Sequence, residues 1–325
     1  MTLKKLIRSL ALCVTALGAA TGALAQDVWP SRPIKFIAPF PPGGPVDQTA
    51  RVLAQKLSDA LGQPVVIENI AGAGSTVGLV RLTQAPADGY TIAMGHVGGL
   101  SIAPHMYAKV GFDPLKSFAP VTVLADYANV LVVNANEPYK SVAEIIKAAK
   151  DNPGKLTYGS SGNGSSNHLS GELLASMAGV KFTHVPYRGT APSMNDLLAG
   201  RLTFMFDVLL NSMPHIQTGR LRALAVTNQS GVPKLPGVPT LSQSVPGYEV
   251  LGWVALIAPA GTPPRIVDRL RAETEKIMKM PEVIASYATV GFDARTGTPE
   301  QLLDLIKKDL DLWGPIVKST GATAQ

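Results

Sequence analysis

The stretch Phe36-Ile-Ala-Pro-Phe-Pro-Pro-Gly-Gly-Pro-Val-Asp-Gln-Thr-Ala-Arg51 decides the fold class. The mostly apolar run from Ile34 to Ala38 predicts a short buried strand, and a proline- and glycine-rich turn ends it. Pro45 stands where a helix can begin, because the first helical N–H is unpaired in any case. Apolar residues then recur at helical spacing. They are Ala50, Leu53, Ala54, Leu57 and Leu61. A strand, a glycine turn and a helix make one βα unit of an α/β protein.

The turn of this unit has two possible roles. A helix start carries unpaired N–H groups and a partial positive charge, and Gly43 and Gly44 have no side chains to keep a ligand away. These properties are typical of an anion pocket. A glycine-rich tight turn with no ligand explains the same residues, so both interpretations stay open at this point.

The N-terminus predicts an exported protein. Lys4, Lys5 and Arg8 precede an apolar segment over residues 10–20, and Ala23-Leu24-Ala25 matches the small-residue pattern of a signal peptidase site. We expect a signal peptide over residues 1–25, cleaved after Ala25. The one cysteine lies within it. The mature chain is therefore expected to lack disulfides, thiol catalysis and zinc–thiolate sites.

Charge and composition exclude several classes of protein. The formal net charge is +6, and three of the positive charges lie in the signal peptide. The mature chain has about 300 residues, enough for two domains. Its small basic excess suits an acidic small ligand and is too weak to predict nucleic-acid binding. With 46% hydrophobic and 16% charged residues, the chain predicts a well-packed globular protein.

Two more glycine-rich loops follow predicted strands in the first part of the chain. Ala71 to Gly78 resembles a dinucleotide fingerprint, but its glycine spacing is one residue too long, and close helix–strand packing explains it better. The loop from Gly95 to Ser101 contains His96, which could reach a ligand or be an ordinary loop histidine. In alternating β/α chains such loops lie at the carboxyl ends of parallel strands, where ligands bind.

The middle of the chain predicts separate strands over residues 121–124 and 130–133, and then a second unit like the first. After a short strand, Gly159 to Ser166 supplies four serines and three glycines before a helix, more than an N-cap requires. We interpret this loop as a second anion site. We expect His168, in the first turn, to orient the loop rather than to catalyse.

Two charged residues of this half have open roles. Arg188 and its neighbour Tyr187 stand at a loop tip with the right chemistry for a carboxylate, although an ordinary surface arginine is an equal alternative. Asp207 follows a predicted strand and could take a ligand amine or cap the next helix. Near the C-terminus we predict two helices, the second opened by a T-x-x-Q capping box at Thr298.

Catalytic and metal motifs are missing from the sequence. No nucleophile elbow, Walker loop or H-E-x-x-H motif is present, and the five histidines have no metal spacing. We predict no cofactor and no metal. Ser161, His168 and Asp207 could form a triad on paper, so a secreted serine hydrolase is the alternative function. Two glycine-rich loops that face each other from two halves of an exported chain instead predict a solute-binding protein.

The motifs along the chain resemble those of the Bug-type receptors of tripartite tricarboxylate transporters. The matching stretches are Pro39-Phe-Pro-Pro-Gly-Gly44 with Asp47, Ala50 and Arg51; Glu68-Asn69 with Gly72 and Gly74; Ala87-Asp-Gly-Tyr-Thr91; Ser161-Gly162 with Gly164, Ser165, His168 and Leu169; His184-Val-Pro-Tyr-Arg-Gly189; and Leu235-Pro-Gly-Val-Pro-Thr240. The resemblance covers nearly the whole mature chain. It departs at Phe40, where tyrosine is frequent, and at Arg188, where lysine is frequent.

The resemblance implies a type II-like periplasmic binding protein with two α/β lobes, a two-strand hinge and a ligand cleft between the lobes. Residues 26–125 and 251–325 would form the first lobe and residues 126–250 the second. The receptor would be a periplasmic monomer that closes on a small carboxylate and serves a membrane permease or acts as a sensor. The candidate ligand residues are Phe40, Pro42, Gly43, Gly44, Asp47, His96, Ser160, Ser161, Gly164, Ser165, His168, Arg188 and Asp207. The ligand itself stays open among di- and tricarboxylates, aromatic carboxylates and acidic amino acids.

Overall fold

The computed structural model describes residues 29–320 of the 325-residue chain. The predicted signal peptide and its cleavage site after Ala25 lie outside the described residues. The strands are β1 (Ile34–Ala38), β2 (Val65–Asn69), β3 (Thr91–His96), β4 (Phe118–Asn134), β5 (Thr157–Ser160), β6 (Thr183–Pro186), β7 (Phe204–Val208), β8 (Leu221–Val226), β9 (Leu251–Pro259) and β10 (Phe292–Ala294). The helices are α1 (Pro45–Leu61), α2 (Thr76–Thr83), α3 (Ala103–Met106), α4 (Val142–Asp151), α5 (Ser166–Ala178), α6 (Thr190–Leu198), α7 (Leu209–Gln217), α8 (Pro264–Ile277), α9 (Pro281–Thr289) and α10 (Pro299–Thr320). The predicted α/β class is confirmed.

The first half and the C-terminal part of the chain build one sheet. β1 lies between β2 and β3 and is parallel to both, as the predicted βα units require. β9 runs antiparallel between β3 and β4, and β10 also pairs with β4. The carboxyl ends of β1, β2 and β3 therefore lie at one edge of this sheet, followed by their three glycine-rich loops.

The middle of the chain builds a second sheet on the other half of β4. β5 lies between β6 and β7 and is parallel to both, while β7 and β8 run antiparallel to β4. The loop between β5 and α5 follows the carboxyl end of β5. This loop therefore has the same position in the second sheet as the turn after β1 has in the first.

β4 is one continuous strand of 17 residues, and the prediction of two strands separated by a break was wrong. Its residue Ala128 still pairs with Leu251 of the first sheet, and the next residue, Asn129, pairs with Val208 of the second. Partners from two different sheets keep the backbone extended through the polar stretch. The predicted lobe limits at 125/126 and 250/251 stay a prediction.

The chain passes between the sheets a second time before β9. Thr227, just after β8, accepts the amide hydrogen of Val250 and donates its own amide hydrogen to the carbonyl oxygen of Asn129. The Thr227 hydroxyl in turn accepts the amide hydrogen of Asn129, at 2.9 Å. These bonds bring the two crossing segments side by side.

The C-terminal part contains more structure than the sequence predicted. Helices α8, α9 and α10 replace the two expected helices, because Pro281 begins a new helix directly after α8. The capping box at Thr298 is confirmed, since its amide donates to Gln301 and its hydroxyl accepts from the Gln301 amide. Trp313 of α10 is buried, which confirms that this helix docks on the core. Within residues 29–320, no helix is long and apolar enough to span a membrane.

Candidate functional site

The turn after β1 is fastened by one buried carboxylate. Asp47, in the first turn of α1, is 2% exposed, and its Oδ2 accepts the Gly43 amide at 2.8 Å and Arg51 Nε at 2.9 Å. Asn69 at the end of β2 donates to Asp47 Oδ1 at 2.7 Å and to the carbonyl oxygen of Phe40 at 3.0 Å. Asp47 thus joins the turn, the helix and the neighbouring strand.

The ionised form of Asp47 is the one that suits this role. Burial on its own raises the pKa of a carboxyl group, but the hydrogen bonds from Arg51, Asn69 and the Gly43 amide outweigh it and lower the pKa of Asp47. Because the Gly43 N–H is used inside the protein, Asp47 holds the turn in shape rather than leaving this N–H for a ligand. Sequence reasoning proposed both residues as ligand contacts and did not foresee the bond between them.

His96 is the first member of a chain of hydrogen bonds that reaches the second sheet. Its Nδ1 accepts the Gly98 amide at 2.9 Å, so the proton is assigned to Nε2, which lies 2.7 Å from the Tyr127 hydroxyl. Tyr127 on β4 donates in turn to the Ser166 hydroxyl at 3.4 Å, in the first turn of α5. Burial lowers the pKa of His96 to about 4, so the ring is neutral at neutral pH. The ring of Phe40 contacts it edge-on, with centroids 5.0 Å apart.

The serine- and glycine-rich loop after β5 is held by hydrogen bonds to β6 and within the loop. Ser160 is fully buried, and its hydroxyl lies 2.7 Å from His184 Nε2 of β6 and accepts the Gly162 amide. Ser165 is the N-cap of α5, because its hydroxyl accepts the His168 amide. It also donates to the carbonyl oxygen of Gly162 at 2.7 Å. Both hydroxyl groups therefore have partners within the loop and its support.

Two stacked histidines support the same loop. His168 Nδ1 accepts the Gly164 amide at 3.2 Å, which bears out the expectation that His168 orients the loop. The rings of His168 and His184 stack with centroids 4.0 Å apart. Burial, and for His168 also the neighbouring His184, lowers the pKa of His168 to about 3, and burial lowers that of His184 to about 4. Both rings must stay neutral for this packing to persist.

The neutral state of His168 gives a pH dependence that can be measured. The pKa in the folded protein is lowered from 6.5, so below pH 6.5 the unfolded chain binds a proton that the folded protein does not. The contribution of His168 to the free energy of unfolding is therefore complete above pH 6.5 and is lost as the pH falls. The loss is about 1.4 kcal/mol per pH unit down to the folded pKa.

We expect the stability advantage of wild type over His168→Asn to shrink by about 2 kcal/mol between pH 7 and pH 5. Asn keeps a hydrogen-bond acceptor and removes the titrating ring, and taking the difference cancels the titrating groups that do not contact His168, unlike His184 and Glu172. Urea unfolding at each pH measures it. Thr274→Val, which removes a buried hydroxyl that does not titrate, is the control and should give a constant difference. A constant difference for His168→Asn as well would contradict the prediction.

The structure does not assemble the hydrolase triad that the sequence left open. The Ser161 hydroxyl donates to Asn167 Oδ1 at 2.7 Å, and His168 Nδ1 is taken by the Gly164 amide. Asp207 is fully buried, and its carboxylate accepts from Asn211 and Ser212 of α7. The predicted capping of the following helix is wrong, because the N-cap of α7 is Val208 and has no side-chain capping bond. Asp207 accepts instead from side chains within that helix. Burial raises the pKa of Asp207 to about 7.

Arg188 is a cation that lies beside this loop. Its neighbours Tyr187 and Gly189 donate their amide hydrogens to the carbonyl oxygens of Ser160 and Ser161, so the tip of the β6–α6 connection lies along the loop. The Arg188 side chain is exposed, and no hydrogen bond or ion pair to it occurs among the described residues. A guanidinium in this position is available to an anion.

Loops of the two sheets meet at a surface that we call the loop interface. It comprises Gly74, Gly98 and Met106 on one side and Asn163 and Gly164 on the other. A Cβ on Gly98 would lie 3.0 Å from the carbonyl oxygen of Gly164, and one on Gly74 would lie 3.2 Å from that of Asn163. A Cβ on Gly164, whose φ is +79°, would lie 3.0 Å from Met106 Sδ. Small residues therefore permit the two sets of loops to touch.

Sequence reasoning missed two parts of this arrangement. The loop between β2 and α2 was interpreted as packing, yet its Gly74 reaches the opposite sheet. Tyr127 was not singled out, because a tyrosine in a polar stretch between two apolar runs carries no local signal. Asp207 lies in β7 of the second sheet, far along the chain from the first-sheet loops. Its carboxylate accepts hydrogen bonds from α7. For residues 29–320, no group of three or more His, Cys, Asp or Glu side chains could hold a metal ion.

The chain is similar in sequence to a known family and to several known proteins. The family model described as the tripartite tricarboxylate transporter family receptor matches residues 49–322. A UPF0065 protein from the tcbD–tcbE intergenic region of a Pseudomonas species is 40% identical over 97% of this chain and 93% of its own. Protein BugT of Bordetella pertussis is 34% identical over 99% of both chains.

Two solved structures extend the similarity to the fold. Rpa4515 of R. palustris, solved with adipate, superposes with a TM-score of 0.84 at 35% identity, over 91% of this chain and 99% of its own. MatC from Rhodopseudomonas palustris, with bound malate, gives 0.81 at 30% identity, over 89% and 100%. The predicted periplasmic binding protein fold and the resemblance to Bug-type receptors are confirmed.

Proposed function

Because the chain belongs to the tripartite tricarboxylate transporter receptor family, whose members are periplasmic solute-binding proteins, we propose that it captures a small carboxylate and delivers it to a membrane permease. The signal peptide would direct export and be cleaved after Ala25. The receptor would act as a monomer without cofactor or metal. A sensor role would use the same capture step.

The loop interface is the observation that carries this proposal. Loops at the carboxyl ends of strands from two sheets touch through Gly74, Gly98 and Gly164, and the contacts of Gly74 and Gly98 are with backbone carbonyl oxygens. A ligand held there contacts both sheets at once, and its binding free energy then favours the closed arrangement over an open one. The lobes would be residues 26–125 with 251–325 and residues 126–250, with β4 and the segment around Thr227 and Val250 as the hinge.

The proposed ligand residues fall into two groups with different roles. Phe40, Pro42, Gly44 and Arg188 would contact the ligand. Eight residues whose hydrogen-bonding groups have partners inside the protein would hold the contacting loops in shape: Gly43, Asp47, His96, Ser160, Ser161, Gly164, Ser165 and His168. Asp207 would support α7. The first amide groups of α5 and the exposed guanidinium of Arg188 supply the positive potential that a carboxylate needs.

We infer that the ligand is a dicarboxylate. The two relatives described above were solved with adipate and with malate, and both molecules carry two carboxylates. One carboxylate would be held by the β5–α5 loop, and the second would be turned toward the first sheet. A thermal-shift screen with succinate, malate, adipate and their monocarboxylate counterparts tests this inference. A ligand at 100 times its Kd adds about 2.7 kcal/mol to the free energy of unfolding. If no carboxylate shifts the melting temperature and mass spectrometry finds no ligand already bound, the proposal is wrong.

We expect Gly44→Val to reduce carboxylate affinity at least tenfold while the protein stays folded. Gly44 is the N-cap of α1 at a φ of −75°, which valine can adopt, and its nearest neighbour to an added Cβ is the Pro41 carbonyl oxygen at 3.8 Å. Room for the side chain exists in the protein, so a loss of affinity reports a clash with the ligand. Isothermal titration calorimetry measures the affinity.

Ser141→Val is the matched control for this change. Ser141 is the N-cap of α4 in the second sheet, and valine at an N-cap costs about 1 kcal/mol of stability in either helix. The two variants should therefore have similar melting temperatures, and only Gly44→Val should bind less tightly. Wild-type affinity in folded Gly44→Val would make the turn after β1 a structural turn only.

A further inference from the structure

The loop between β2 and α2 holds three consecutive residues in left-handed backbone conformations. Ala73 has a φ of +44°, Gly74 of +62° and Ser75 of +83°. Only Gly74 adopts such a conformation without cost, and residues with side chains are found there chiefly where the surrounding structure imposes it. Close packing of helix and strand accounts for the glycines of this loop and leaves Ser75 unexplained.

Ser75 does not perform the task that a serine in its position usually has. It is the N-cap of α2, yet its hydroxyl makes no capping hydrogen bond. The residue is 1% exposed, and Ser75 Oγ has no hydrogen-bond partner among the described residues. The neighbouring Thr76 hydroxyl, by contrast, donates to the carbonyl oxygen of Ala73 at 2.8 Å. A buried hydroxyl without a partner is destabilising, so a ligand that pairs with it gains selectivity.

The surroundings of Ser75 place this hydroxyl beside the loop interface. Its Oγ would lie 2.3 Å from a Cβ on Gly99, in the loop after β3. The residues just before Ser75 and Gly99 in the chain, Gly74 and Gly98, approach Asn163 and Gly164 of the loop after β5. The unpaired hydroxyl therefore lies at the contact of the two first-sheet loops that touch the loop after β5.

We propose that Ser75 is a specificity-determining residue whose hydroxyl donates a hydrogen bond to the ligand carboxylate that faces the first sheet. This inference rests on the proposed function and adds to it the residue that separates a dicarboxylate from a monocarboxylate. A monocarboxylate held by the β5–α5 loop leaves Ser75 unpaired next to an apolar chain end. A second carboxylate gives the Ser75 hydroxyl a charge-assisted hydrogen bond, which is stronger than one between neutral groups.

Two substitutions of Ser75 separate the hydroxyl from the backbone strain. Ser75→Ala removes only the hydroxyl, and Ser75→Gly removes the hydroxyl and adopts the positive φ without strain. Each variant is titrated by calorimetry with the dicarboxylate among succinate, malate and adipate that wild type binds most tightly. The monocarboxylate of equal chain length, butyrate or hexanoate, is titrated alongside. We expect both variants to bind the dicarboxylate about tenfold to hundredfold more weakly and the monocarboxylate unchanged.

Thr274→Val is the matched control, because Thr274 Oγ1 is also buried without a partner, in α8. It should leave both affinities unchanged. The melting temperature of ligand-free Ser75→Gly should be no lower than that of wild type, which shows that a weaker affinity is not a folding defect. If Ser75→Gly binds both ligands as wild type does, the hydroxyl has no role in specificity and this inference is wrong. If wild type binds no carboxylate, the proposed function fails first, and the inference fails with it.

Discussion

Replacing Asp47 by Ala is expected to lower the free energy of unfolding by about 1.5–3 kcal/mol, the range for hydrogen bonds to a charged group. The carboxylate is buried and accepts from the Gly43 amide, Asn69 and Arg51. Its removal takes this partner from the Gly43 amide, which is exposed and can bind water instead, and from Asn69, which is half-buried. The turn after β1 then loses its fastening, and we expect ligand affinity to fall together with stability. Urea unfolding and calorimetric titration of the same sample measure both.

Asp151→Ala is the control for this prediction. Asp151 also pairs with a cation four positions away, Lys147 at 2.6 Å, but both side chains are more than half exposed. Exposed pairs of this kind contribute about 0.2–1 kcal/mol, so this variant should be almost as stable as wild type. A second variant, Asp47→Asn, keeps one acceptor oxygen and should lie between wild type and Asp47→Ala. Equal stabilities of Asp47→Ala and Asp151→Ala would mean that Asp47 does not fasten the turn.

Gly74→Leu is expected to weaken carboxylate binding about hundredfold, or about 2.7 kcal/mol, by keeping the two sheets apart. An added Cβ at Gly74 meets only the Asn163 carbonyl oxygen of the opposite loop, at 3.2 Å. The rest of a leucine side chain cannot fit without moving that loop away. A ligand that needs contacts from both sheets then loses one set of them. Small-angle X-ray scattering with saturating ligand should give a larger radius of gyration than wild type.

The backbone strain of this variant is matched by Gly62→Leu. Gly62 ends α1 with a φ of +67°, close to the +62° of Gly74, and an added Cβ there has no atom within 4 Å. Both variants carry the cost of a left-handed leucine, about 1–2 kcal/mol. Only Gly74→Leu should change the affinity and the radius of gyration. If the two variants bind ligand equally, the loop interface is not where the protein closes.

Local sequence signals predicted much of the fold. The βα units of the first half and the capping box at Thr298 are where the sequence placed them. Each depends on residues within a few positions of one another, so the sequence is sufficient to specify it. The prediction of a break in β4 was wrong for the opposite reason. That strand is kept extended by β9 and β7, which are far away in the sequence.

The candidate site was predicted less well at the level of single groups. Sequence reasoning found the loops after β1 and β5 and proposed Asp47, Ser160, Ser161 and Ser165 among their ligand contacts. In the structure several of these groups are occupied by partners far along the chain: Asp47 by Asn69, 22 positions away, and Ser160 by His184, 24 positions away. Ser75 was passed over because the lack of a capping bond at its hydroxyl cannot be read from the residues around it.

The sequence by itself determined the α/β class and the glycine-rich loops after β1 and β5, since composition and short-range spacing encode them. Only the tertiary structure decided which polar groups of those loops have protein partners and which are available to a ligand. The physical reason is that a buried donor or acceptor must be paired. Whether its partner is a neighbouring strand, a histidine below the loop or a bound carboxylate depends on which distant segments the fold brings beside it.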